Sequence, residues 1–315
     1  MPRPGSILMA LLLAASGLTT ARAQMASVKV PVWLGTNANA CGPAPKFQAT
    51  INGKPARVTK TLGPSSDQLI LLVSDLTGSL SLDGPAKQAM ISQISKLPSH
   101  TWVALLRAQD GLRVLTNPGP NRKATIAAIQ ALTDSGQPGL LGTVTSALSL
   151  ASAISRKAAV RVSVLYVTDG SIYSYREDYT NPVINQSDPY DLSRTFPAAL
   201  IEDKISMLLD NANSIEAPLF VAQLEFRGDQ LNVAYQNGID ALARATGGEN
   251  LICQSDGDIP VTIAQIFHRI LSMWLLTLAL PPKTPDANIQ MSAPCRAARS
   301  GLSWRAHIHL TGGLG

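Results

Sequence analysis

Charged residues are scarce in this chain, and no basic run occurs along it. Aspartate, glutamate, lysine and arginine make up 15% of the 315 residues against 45% hydrophobic ones. That balance excludes a disordered chain and predicts a well-cored globular protein. The formal net charge of +5 is spread thinly, so nucleic-acid binding is not expected. No Gly-x-Ser-x-Gly, His-Glu-x-x-His or phosphate-loop pattern occurs, which removes the commonest hydrolase and nucleotide-binding readings. The three cysteines, Cys41, Cys253 and Cys295, match no zinc spacing. In an exported chain they allow one disulfide with one thiol left over, and the sequence does not choose the pair. Long apolar runs are missing too: Ile270 to Leu280 carries no charge but spans only eleven positions, too few to cross a membrane.

What is present begins with an export pattern. Arg3 precedes the apolar stretch Ile7 to Leu13, and Ala21-Arg22-Ala23 gives a small-x-small cleavage site before Gln24, so residues 1–23 read as a signal peptide. Its removal deletes Arg3 and Arg22 and lowers the net charge to a formal +3. A periplasmic, envelope-associated or extracellular protein with no transmembrane segment is therefore expected. Residues 24–63 read as a small β-rich segment, with Asn52-Gly53 between two strand-like runs as a hairpin signal. Pro64, Ser65 and Ser66 mark a linker.

From Gln68 the pattern alternates strand and helix. Leu69 to Ser74, Trp102 to Arg107, Val160 to Thr168, Leu219 to Phe226 and Leu275 to Leu280 have the length and apolar content of strands. Gly84 to Leu97, Arg122 to Leu132, Thr143 to Ser155, Asn237 to Ala245 and Ile259 to Met273 have helical spacing. This predicts an α/β domain over 64–282, a doubly wound and mostly parallel sheet with helices on both faces. Residues 283–315 lose the pattern and read as a C-terminal extension.

In such a sheet, ligands bind beyond the carboxyl ends of the strands. Asp75 ends the first strand and Asp169 a later one, so both belong on one rim. Asp75-Leu76-Thr77-Gly78-Ser79 puts a carboxylate and two hydroxyls at alternate positions, oxygen ligands suited to a hard divalent cation. Thr143 and Thr145, at the entry to a helix, offer hydroxyls to the same rim, with a helix cap as the alternative role. The order Asp75-x-Thr77-x-Ser79, Gly142-Thr143 and Val167-Thr168-Asp169-Gly170 resembles the metal-ion-dependent adhesion site of von Willebrand factor type A domains. Leu242 to Gly248 and the Asn-Gly-Lys hairpin within Phe47 to Val58 resemble segments of the exported bacterial members. The resemblance covers about residues 47–282. It implies a Rossmann-like fold and a Mg²⁺ (or Mn²⁺) bound by Asp75, Thr77, Ser79, Thr143 and Asp169. The second loop, Pro138 to Ala147, lacks the usual Gly-Gly-Thr run, so Thr143 competes with Thr145 for its place.

Few anionic ligands on the ion would leave it positive and open to the carboxylate of an aspartate or glutamate of a partner protein. The implied function is a protein-binding module and not an enzyme. A structural or scaffolding module without a working metal site is the first alternative, and a metal-assisted hydrolase the second. The stretch from Ser171 to Phe196 leaves directly from Asp169 and holds Tyr173, Tyr175, Tyr179 and Tyr190, four of the six tyrosines. Tyrosine is favoured at interfaces, so these four are candidates for partner contact.

Overall fold

A computed structural model describes residues 26–35, 45–77, 79–133, 135–175, 196–281, 284–293 and 301–309. The signal segment, Cys41, Cys295, Tyr179 and Tyr190 lie outside the described residues. The fourteen strands and six helices of the described chain build three sheets.

The central sheet takes β5 (Gln68–Asp75), β6 (Thr101–Arg107), β7 (Arg113–Gly119), β8 (Arg161–Thr168), β9 (Leu219–Gln223) and β10 (Glu249–Ile252). Their order across the sheet is β10-β9-β8-β5-β6-β7, all parallel except β7 at one edge. The six helices are α1 (Leu80–Lys96), α2 (Arg122–Gln130), α3 (Leu140–Lys157), α4 (Phe196–Ala212), α5 (Gln230–Ala245) and α6 (Ile259–Leu271). Every residue of β5 and β8 is buried, as both faces of a parallel sheet must be when crossover helices cover them. Alternation sorts the side chains. Leu69, Leu71 and Val73 join the core under α3, α4 and α5, whereas Ile70 and Leu72 join the core under α1 and α6.

The remaining eight strands are β1 (Ser27–Trp33), β2 (Gln48–Ile51), β3 (Lys54–Ala56), β4 (Val58–Leu62), β11 (Trp274–Ala279), β12 (Asp286–Ser292), β13 (Ser303–Trp304) and β14 (His307–His309). They form two four-stranded sheets, β13-β1-β11-β4 and β14-β12-β2-β3. One shared core joins Val28, Val30, Leu276 and Leu278 of the first to Ile51, Ala287, Ile289 and Ile308 of the second. The Asn52-Gly53 hairpin forms as its residues require, with positive φ of 52° and 76° at its two central positions.

Two elements differ from the sequence pattern. The apolar run from Leu275 is not a sixth parallel strand: β11 pairs antiparallel with β1 and β4. Within 283–315, β12 pairs with β2, β14 with β12, and β13 with β1. The two chain ends therefore build one sandwich together. An apolar strand looks the same whichever sheet it joins, and pairing partners more than two hundred residues apart leave no local signal.

Arg161 binds the sandwich to the α/β unit. It is fully buried and donates to the carbonyls of Pro64 (2.7 Å), Ser66 (3.0 Å), Met273 (2.9 Å) and Leu271 (3.2 Å). Those four carbonyls belong to the two segments where the chain crosses between the units, β4 to β5 and α6 to β11. Arg305, on the sandwich side, likewise donates to the carbonyls of Ala212, Asn213 and Ile215 at the end of α4. Among the described residues, no helix is long and apolar enough to cross a membrane.

Candidate metal and ligand rim

Strands β5 and β8 are neighbours in the sheet, and the chain winds outward from them in opposite directions. The carboxyl ends of such a pair leave a crevice between diverging loops. Asp75 closes β5 directly opposite Thr168, and Asp169 follows Thr168. The aspartates read from the sequence thus meet at the switch point of the sheet.

Asp75 is fully buried. Its Oδ1 accepts from the Gly139 N–H at 2.7 Å, and its Oδ2 from the Leu140 N–H at 3.2 Å and the Thr168 hydroxyl at 3.0 Å. Gly139 is the N-cap of α3, so the unpaired amides of a helix start are turned onto the carboxylate, where the helix dipole also favours negative charge. Asp169 has a parallel role on the other side. Its Oδ1 accepts from the Thr77 N–H at 2.8 Å and the Thr77 hydroxyl at 3.0 Å, and its Oδ2 from the Ser79 N–H at 3.3 Å. Ser79 is the N-cap of α1. Two carboxylates, each seated at a helix start, therefore share one rim with the hydroxyls of Thr77 and Ser79.

Burial pushes the Asp75 carboxyl up to about 6 from 3.8, and the charge of Asp169 adds to the rise, while the Gly139 and Leu140 amides and the Thr168 hydroxyl oppose it. An unfolded chain gives up this proton near 3.8, and the folded one holds it to about 6. Between those values the folded state binds more protons, so this group makes stability fall as pH rises through the window and then level off. The expected loss is at most roughly 3 kcal/mol at 1.36 kcal/mol per unit. It is to be measured by urea denaturation from pH 4 to 7 in chelator, as the difference between wild type and Asp75→Asn. A difference that does not change with pH would count against this assignment.

Asp75, Thr77, Ser79 and Asp169 are thus brought together, and Thr143 is not. It lies one turn inside α3, buried, with its hydroxyl donating to the Gly139 carbonyl at 2.7 Å and lying 2.8 Å from the Tyr166 hydroxyl. It is not the helix cap either, because α3 starts three residues earlier, at Leu140. Thr145 sits further along the same helix, half-buried. What faces Asp75 from the second loop is backbone, the amides of Gly139 and Leu140. Tyr175 also departs from the expected role. It is buried, accepts from the Leu141 N–H at 3.3 Å and packs on Tyr235, so it supports the start of α3 and offers no surface to a partner. Tyr173 is exposed and donates to Asp229 Oδ1 at 2.7 Å.

Several contributors were not singled out from the sequence. Thr168 looks like one more strand residue, although its place next to Asp169 was a usable signal. Asn232 and Gln236 sit on α5, buried, and tie the loop after β9 to the turn holding Tyr173. His307 and His309 lie on β14, where His309 Nδ1 is 2.5 Å from Asp286 Oδ1 on an exposed face.

The donor set at the rim is all oxygen, two carboxylates and two hydroxyls, which fits a hard cation and not a thiolate- or imidazole-seeking one. Among the described residues no group of three or more His, Cys, Asp or Glu side chains is gathered so as to hold a metal ion. Strand order, Asp75-x-Thr77-x-Ser79 after the first central strand and Asp169 after the fourth agree with one another. The central unit is a doubly wound, mostly parallel six-stranded sheet covered by helices on both faces.

No family model matches the sequence, and no curated protein does. Similar solved structures include a von Willebrand factor type A protein from Catenulispora acidiphila, at 12% identity and a TM-score of 0.47, covering 85% of this chain and 74% of that one. The D319A mutant of the PilB minor pilin from Streptococcus sanguinis shows 12% identity and a TM-score of 0.47, covering 66% and 62%. The von Willebrand domain of the type V pili tip protein Mfa5 from Porphyromonas gingivalis shows 11% identity and a TM-score of 0.40, covering 65% and 95%. This chain spans less than two thirds of the PilB structure.

Proposed function

We propose that the chain is an exported protein-interaction module in which Asp75, Thr77, Ser79 and Asp169 hold a Mg²⁺ (or Mn²⁺) that takes up an aspartate or glutamate carboxylate of a partner protein. The observation that carries this reading is the meeting of two carboxylates and two hydroxyls at the switch point, one of the carboxylates wholly buried. A cation there would offset the cost of burying Asp75 beside Asp169. Export follows from residues 1–23, and an envelope or extracellular site of action accords with it. Thr143 and Thr145 are left out of the ligand set, because neither hydroxyl is a partner of the two aspartates.

A cation that binds only the folded chain must raise its stability. At tenfold excess over Kd, the gain is about 1.4 kcal/mol. Thermal unfolding in Mg²⁺, Mn²⁺ and chelator, with calorimetric titration of the ions, is expected to show that gain in wild type and none in Asp169→Ala.

A scaffolding role is favoured by a different observation: every carboxylate oxygen of Asp75 and Asp169 already has a protein donor. Equal melting temperatures in both ions and in chelator, with no heat of binding, would overturn the metal reading in favour of this one.

A further inference from the structure

The turn that follows β6 touches both of the loops that meet at Asp75. Ala108 extends the pairing of β6 with β5 by one step, its N–H donating to the Ser74 carbonyl at 2.9 Å, directly before Asp75. The Gly111 N–H donates back to the Ala108 carbonyl at 3.1 Å and closes a four-residue turn. Its third residue, Asp110, has a φ of 55°, in the left-handed region that Asp and Asn tolerate better than most residues with a side chain.

One side chain of this turn reaches each loop. The Gln109 carboxamide donates through Nε2 to the Leu76 carbonyl, and Leu76 joins Asp75 to Thr77. Gln109 and Leu76 are both fully buried. Asp110 holds the loop from α2 to α3. Its Oδ1 accepts from the Gln137 N–H at 3.0 Å, and its own N–H donates to the Gln137 carbonyl at 3.3 Å. Gly136 comes so close that a Cβ there would lie 2.5 Å from Asp110 Oδ2. Gly139, two residues beyond Gln137, and Leu140 supply the amides that hold Asp75. A carboxamide is costly to bury, and the Oε1 of Gln109 has no hydrogen-bond partner among the described residues. For packing alone a hydrocarbon side chain would cost less, so what this amide contributes is its bond to Leu76.

We propose that Gln109 and Asp110 are positioning residues that clamp the two loops at one spacing, holding Asp75 and Thr77 in place for the cation. In its link to the cation this rests on the reading above; the clamp itself is made of protein alone. Four amides report its state: Gly139 and Leu140, which bond Asp75, and Thr77 and Ser79, which bond Asp169. Gln109 and Asp110 are adjacent in one closed turn, so releasing either bond frees the turn and weakens the other. A clamp therefore loosens both loops when one end is cut, whereas two separate local bonds would each loosen only their own.

Residue-by-residue amide hydrogen exchange of the full mature chain in chelator tests this. Gln109→Met removes the donor at nearly the same length. Asp110→Gly keeps the left-handed backbone and removes the acceptor, and Asp110→Asn keeps both. Gln109→Met and Asp110→Gly are each expected to speed exchange about tenfold at all four amides relative to Leu71 in the sheet core, the equivalent of one net hydrogen bond. The double variant should go little further than either single one, and Asp110→Asn should stay within twofold of wild type. Asp110 is exposed, so Asp110→Gly decides the matter even if Gln109→Met does not fold. Calorimetric titration of Mg²⁺ should show about tenfold weaker binding in the same two variants. Loosening confined to one loop, exchange unchanged in Asp110→Gly, or an equal loss in Asp110→Asn would each overturn the clamp. Equal Mg²⁺ binding by wild type and both variants would overturn the positioning role. If exchange responds as expected and wild type binds no Mg²⁺, the clamp stands and the metal reading fails.

Discussion

Gly139→Ala is expected to destabilise the fold by about 3 kcal/mol or more, the upper end of what overpacking a well-packed interior costs. A Cβ at this position would lie 1.8 Å from the Ala108 carbonyl oxygen and 2.4 Å from its carbon. Ala108 cannot give way, because it is fully buried and its N–H is bonded to the Ser74 carbonyl at 2.9 Å. The start of α3 must then move outward, taking the Gly139 and Leu140 amides away from Asp75. A wholly buried carboxylate would lose two of its three donors, adding the cost of an undersatisfied charge to that of the collision. Gly142→Ala is the control. It lies three residues on in the same helix, exposed, with nothing within 4 Å of the added carbon. There the change is expected to stabilise by about 0.5–1 kcal/mol, through helix propensity. Urea denaturation of both variants separates the two effects. A Gly139→Ala protein within about 1 kcal/mol of wild type would show that the loop adapts, contrary to this account.

Arg161→Ala should cost about 4 kcal/mol, combining a cavity with the loss of four hydrogen bonds to carbonyls of the two crossing segments. The pKa of Arg161 is lowered by burial, to about 10, so the guanidinium is still charged at neutral pH. Its described bonds run to carbonyls, whose partial charges stabilise the cation across the two crossing segments. Lysine cannot substitute, because a guanidinium presents five N–H groups in a fixed fork and an ammonium three on a flexible stem. The second expected consequence is a loss of cooperativity. With the crossings loosened, the sandwich and the α/β unit should unfold in separate steps, seen as a lowered urea m-value or a biphasic transition. A single transition with unchanged midpoint would remove Arg161 from this role.

The central strands and their helices were legible because each carries its own signal. Leu69 to Val73 is apolar at every position, as suits a strand buried on both faces, and Asn52-Gly53 states its turn in two residues. Helix starts were read too late where the first turn lacks apolar spacing. The helix expected from Asn237 begins at Gln230, capped by the Asp229 side chain bonding the Asn232 N–H at 3.1 Å. At the rim, Asp75 and Asp169 could be placed because a strand end in a parallel sheet determines where the next side chain goes. The second-loop ligand could not be placed from spacing. Whether Thr143 faces the crevice depends on where α3 begins, and that is decided by how closely Gly139 approaches Ala108.

Local pattern thus determined the α/β unit, the rim and the two acids on it, since periodicity, turn chemistry and strand ends act over a few residues. Tertiary structure alone decided the sandwich built from both chain ends and the burial of Thr143 and Tyr175. Each of these depends on contacts between residues far apart in the chain. The free energy of such contacts comes from shared burial and from donors meeting acceptors across elements, and no single stretch of sequence contains both partners.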